Sequence, residues 1–162
     1  VRLLGGLLTA ITVASGCSGG EEGSEGVTPS AVRPCEVVTK PEVESAVGST
    51  VGEGTVPMGV PALLVGEQAC QFPVSGDQGI PGLVKVGVAS AYAPTIFARY
   101  KDEHPQAVPL PKVGEEALWD DTAQTLVVLD DKKALTVTMF GGGLADPKER
   151  ATRLAQKALA RI

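Results

Sequence analysis

The chain has 162 residues, a formal net charge of −5, three cysteines, one histidine and no asparagine. A net acidic chain offers no phosphate-neutralising surface, so no nucleic-acid partner is expected. The lack of asparagine also removes any N-glycosylation acceptor.

Arg2, the apolar run from Leu3 to Val13 and the small residues Ala14-Ser15-Gly16 before Cys17 read as a bacterial lipoprotein signal over 1–16. Ala14 stands where leucine is commonest in such signals. The apolar run falls short of the roughly 20 residues that a spanning helix needs. Cleavage before Cys17 makes it the first mature residue and the lipidation site. The expected location is therefore the outer face of the cell membrane, held by lipid. About 145 residues then remain, enough for one ordinary domain with a core. With Cys17 assigned to lipid, Cys35 and Cys70 are left as a disulfide pair in an oxidising compartment. Two cysteines with a lone distant histidine make a poor metal set.

From Cys17 to Pro34 the chain is dense in Gly, Ser and Glu, and 17–34 reads as a flexible tether ahead of a single domain at 35–162. Thr39 with Glu42 three residues on, Pro41 in the first turn, and Val38 with Val43 predict a capped, stapled helix ending at Gly48. A Gly/Pro-broken stretch over 52–66 follows, then strands over 69–74 and 83–92. In the second strand Val84, Val86 and Val88 alternate with Lys85, Gly87 and Ala89. Ile96, Phe97 and Tyr100 at helical spacing predict a helix over 94–103, stopped by His104-Pro105.

Strands are expected over 117–120, 125–129 and 134–140. The stretch 125–129 is apolar on both faces and so central, and Asp130 to Lys133 form a hairpin connection. The last helix takes Asp146 as N-cap and Pro147 at N1, with Ala151, Leu154, Ala155, Ala158, Leu159 and Ile162 on one face. Hairpin-linked strands with helices between them predict an α+β fold: a mainly antiparallel sheet, helices packed against it, and one disulfide.

Pro34-Cys35, Val37-Val38-Thr39, Glu42-Val43, Gly48, Cys70 with Phe72, Gly114 to Trp119, and Leu154-Ala155 with Ala158-Leu159 span most of the mature chain. In these positions the sequence resembles the actinobacterial lipoproteins of domain of unknown function 3558. Members usually carry Leu where Val37 and Val38 stand, a difference of packing. The resemblance implies a cell-envelope lipoprotein and transfers no catalytic residue.

Chemistry-bearing residues are sparse. Gly16-Cys17-Ser18-Gly19-Gly20 matches G-x-S-x-G only across the lipidation site, not at a strand-to-helix elbow. His104 reads as a solvated residue at a helix end, Trp119 as a core residue, and Gly141 to Gly143 as a turn rather than an anion cradle. Glu115, Glu116, Asp120, Asp121, Asp130 and Asp131 lack EF-hand spacing and read as an acidic rim. No catalytic residue, metal ligand or cofactor site is expected. The function read here is a non-enzymatic binding or sensing lipoprotein for a small molecule, lipid or envelope protein. Its rival is a carboxylate- or metal-dependent envelope hydrolase, which would need Glu115, Glu116 or Asp120 to converge. Arg150, Arg153, Lys157 and Arg161 form one stripe on the last helix, a candidate contact for an anionic surface.

Overall fold

A computed structural model of the chain describes residues 32–58, 62–64, 66–76, 79–141 and 143–162. Cys17, the signal over 1–16 and the tether up to residue 31 lie outside the described residues. Pro34, placed in the tether by the sequence, already opens the first helix, α1 (Pro34–Val37). Val32 before it packs on the core.

α2 (Lys40–Val47) forms where the sequence places it. The backbone N–H and the hydroxyl of Thr39 both donate to Glu42 Oε2 at 2.9 Å. Val38 and Val43, the stapling pair, are fully buried. Gly48 ends the helix at φ 68, a left-handed conformation that a β-carbon disfavours.

Six strands make one antiparallel sheet: β1 (Gln68–Ser75), β2 (Pro81–Ala89), β3 (Val108–Pro109), β4 (Glu116–Asp120), β5 (Thr125–Asp130) and β6 (Lys133–Gly141), in the order β1-β2-β6-β5-β4-β3. β1 and β2 are a hairpin. The chain then crosses under α3 (Ala93–Glu103) to the far edge and returns through β3, β4 and β5, so that β6 closes against β2. The β5–β6 turn is tight, with Asp131 and Lys132 both at positive φ (41° and 61°), as a two-residue hairpin of this twist demands.

β5 is central, as its unbroken apolar run predicts. One face of the sheet carries α1, α2 and α4 (Pro147–Leu159) over Cys70, Phe72, Val84, Val86, Trp119, Leu126, Val128, Leu135, Val137 and Met139. α4 presents Ala151, Leu154, Ala155 and Ala158, all fully buried. α3 lies alone on the other face, where Ile96, Phe97 and Tyr100 cover Leu118, Val127, Leu129 and Ala134. Cys35 in α1 is bonded to Cys70 in β1, with Cα atoms 4.9 Å apart and 35 residues of separation, which pins the entry of the domain to the edge of the sheet.

Three local expectations differ. The second strand ends at Ala89 rather than Tyr92, because Tyr92 turns to φ 58 to start α3 before Pro94. The two-residue β3 has no periodic signal of its own. Asp146 does precede α4, but at φ 50 its carboxylate makes no capping bond.

Candidate functional site

β1 is an edge strand, and the chain itself covers part of that edge. Thr55 and Gln71 exchange both backbone hydrogen bonds at 2.9 and 2.8 Å, Gly52 N–H donates to Pro73 O at 2.8 Å, and Ser75 N–H donates to Thr50 O at 2.9 Å. Beyond Thr55 the cover leaves the edge, and a cleft of about 320 Å³ opens there. It is lined by Pro34, Val56, Pro57, Ala62, Glu67, Gln68, Ala69 and Lys85. Of these, Val56 is an exposed large apolar side chain.

The floor of this cleft is polar and buried. Glu67 has a fully buried side chain, and its Oε2 pairs with Lys85 Nζ at 3.0 Å, with Lys85 12% exposed. The same oxygen accepts the Leu63 N–H at 2.6 Å, and Oε1 accepts the Thr136 hydroxyl on β6. The carboxylate sits where β2 has no side chain: a β-carbon at Gly87 would overlap Glu67 Oε1 and lie 2.6 Å from Thr136 Oγ1. An ion pair taken out of water stays only when further hydrogen bonds satisfy it, and this one has them. Lys85 retains donors that Glu67 does not use. Apolar walls over a charged, hydrogen-bonding floor are the usual make-up of a small-ligand site, and the volume is at the lower end of that class.

A second hollow, about 470 Å³, lies between β3 and the start of α4 and is lined by Val108, Trp119, Asp121 and residues 146–149. Trp119 is only 2% exposed there and serves the core, as expected; its indole N–H donates to Asp121 Oδ1 at 3.2 Å. Among the described residues no buried ion pair lines this hollow as Glu67 and Lys85 line the cleft.

His104 is not simply solvated. Its Nδ1 lies 2.7 Å from Asp120 Oδ2, and its ring stacks on Tyr100 with centroids 4.0 Å apart. Asp120, 1% exposed, also accepts Gln106 Nε2 at 2.9 Å and the backbone N–H groups of Thr122 and Ala123 at 2.9 and 3.0 Å. Burial alone pushes the Asp120 carboxyl pKa up. The Ala123 N–H, the His104 ring and the Thr122 N–H together outweigh it and hold the pKa below its ordinary value. An ionised carboxylate only accepts, so His104 donates from Nδ1. Tyr100 is pushed up to about 12, first by burial and then by the Asp120 charge. The arrangement ties the end of α3 to the β4–β5 turn. Glu116 lies at the opposite end of β4, 3.9 Å from Lys101, so Asp120 and Glu116 do not meet. Among the described residues no three His, Cys, Asp or Glu side chains gather around a common point.

The basic row on and just past α4 stays at the surface, with Arg153, Lys157 and Arg161 exposed, but its three arginines also bond within the fold. Arg150 donates to the carbonyls of Ala145, Ala46 and Val47, and Arg153 to Glu149 Oε1 at 2.7 Å and Ala46 O at 3.5 Å. Arg161 grips both oxygens of Glu42 at 2.7 Å and Val37 O at 3.0 Å. The carbonyls that end α2 lack helical partners, and α4 supplies their donors. Lys157 makes no ion pair among the described residues. The Arg161 guanidinium and the Thr39 donors hold the Glu42 carboxyl at a pKa of about 2 against the cost of burial.

Sequence reasoning placed Lys85 and Gly87 on a half-buried strand and did not single out Glu67 or Thr136. The one available signal was Gly87 itself, a glycine inside a β-branched strand, which marks a close approach. Among the described residues no helix is long and apolar enough to cross a membrane. No protein-family model matches the chain, and neither the curated proteins nor the solved structures include a match to it.

Proposed function

We propose that this chain is an exported, lipid-anchored binding module of the cell envelope, without catalytic activity, whose ligand site is the cleft at the edge of β1. Anchoring rests on the signal-like segment ending at Cys17, and the resemblance to the domain of unknown function 3558 lipoproteins belongs to the same proposal. One observation carries the assignment of the site: Lys85, held from beneath by a fully buried Glu67 that also bonds Thr136, is the charged group of a cleft with apolar walls. Burying a charged pair beside an open cleft is costly unless it is fully bonded.

The test is retention from an envelope extract by the purified full chain, with bound small molecules identified by mass spectrometry. Ala62→Trp, at an exposed wall position, fills the cleft without touching the core. A compound held by the wild type and lost from Ala62→Trp supports the proposal. Identical compound sets from the two proteins overturn it.

A further inference from the structure

The edge of β1 has a gap with a definite chemistry. In an antiparallel ladder the residues of an edge strand alternate between bonding inward and facing outward. The outward residues of β1 are fixed by their bonds: Gln71 to Thr55, Pro73 to Gly52 and Ser75 to Thr50. Ala69 belongs to the same outward set. One more step of the Thr55–Gln71 register places Pro57 opposite Ala69, and proline has no N–H to give. The covering segment leaves the edge there, and the Ala69 N–H and C=O have no hydrogen-bond partner among the described residues. Ala69 is only 7% exposed and lines the cleft. A buried backbone donor and acceptor in one residue, both facing an open cleft, call for a complementary pair.

We infer that the cleft takes an extended peptide segment from another chain, which pairs with Ala69 as an added strand. This inference rests on reading the cleft as the ligand site. One residue of the segment donates its N–H to Ala69 O and accepts the Ala69 N–H, resuming the ladder that Pro57 interrupts. The walls are Pro34, Val56, Pro57 and Ala62, so the segment has small apolar side chains where it meets them.

The test is amide NMR of the full chain with acetyl-Ala-Val-Ala-methylamide and with the same peptide N-methylated at Val. The parent peptide should shift the Ala69 and Gln68 amides and slow hydrogen exchange at Ala69. N-methylation should weaken binding at least tenfold. Ala69→Pro removes the outward N–H without breaking a bond to β2, as Pro73 already does in the same strand, and should also weaken binding at least tenfold while the thermal transition persists. Equal binding by the methylated peptide or by Ala69→Pro overturns the inference. So does an Ala69 amide already protected in the free chain and released when residues 18–31 are removed, which would make the chain's own tether the occupant. If small amphipathic fragments shift Ala69 and Lys85 while neither peptide does, the peptide inference falls and the binding cleft stands. If nothing shifts them, both fall.

Discussion

Gly87→Ala should unseat the floor of the cleft. The added methyl overlaps the Glu67 carboxylate and lies 2.6 Å from Thr136 Oγ1, both packed between β2 and β6, so the carboxylate must leave. Its departure breaks the bonds to Thr136, the Leu63 N–H and Lys85 together. Separating a buried ion pair costs about 3 to 5 kcal/mol. Lys85 keeps 12% exposure and reaches the open cleft, which sets the loss near the lower end, about 3 kcal/mol. For a domain of this size that lowers Tm by about 10 to 15 °C. Guanidinium unfolding read by Trp119 fluorescence measures it, since the single tryptophan is 2% exposed in the core. In a Glu67→Ala/Thr136→Ala background the obstructing oxygens are gone, and the same glycine change should cost no more than about 1 kcal/mol, a coupling of about 2 kcal/mol. A loss below about 1 kcal/mol for Gly87→Ala alone, or an equal loss in both backgrounds, would refute the reasoning.

Replacing Cys35 and Cys70 by alanine should lower stability by about 3 to 4 kcal/mol, the chain-entropy value for a loop of this length, and non-reducing peptide mapping of the protein should yield the one linked pair. Acid should remove the contribution of Glu42: its folded pKa lies below the unfolded value, so the contribution is complete above pH 4.5 and disappears as pH falls toward 2. The shift sets a ceiling of about 3 kcal/mol, and screening at the 40% exposed Arg161 side chain brings it to about 1 kcal/mol; Glu42→Gln should flatten this acid limb in pH-dependent urea melts, and an unchanged limb would count against it. On the proposed lipid anchor, Cys17→Ala should move the protein from the detergent phase to the aqueous phase, because lipid chains on Cys17 would supply the membrane affinity; a variant that stays in the detergent phase would contradict the anchor.

Local patterns determined most of the elements. The capping residues at Thr39 and Glu42, the alternation of Val84, Val86 and Val88, the two-sided apolar run of β5 and the apolar stripe of α4 each depend on neighbours within a few residues, so the sequence carries them directly. Cysteine arithmetic likewise paired Cys35 with Cys70 without a structure. Long-range placement could not be read this way. Periodicity tells that α3 has an apolar face but not which side of the sheet it covers, and it is silent on β6 closing against β2. The bonds that Arg150, Arg153 and Arg161 make within the fold could not be read from the sequence, because the last carbonyls of α2 and the Glu42 carboxylate lie more than a hundred residues away in the chain. His104 looked isolated for a similar reason, since Asp120 meets it only after β4 pairs with β5. The cleft belongs entirely to the tertiary structure. Glu67, Lys85 and Thr136 come from a loop and two strands, and a buried charge is tolerable only where the fold assembles all of its partners at once.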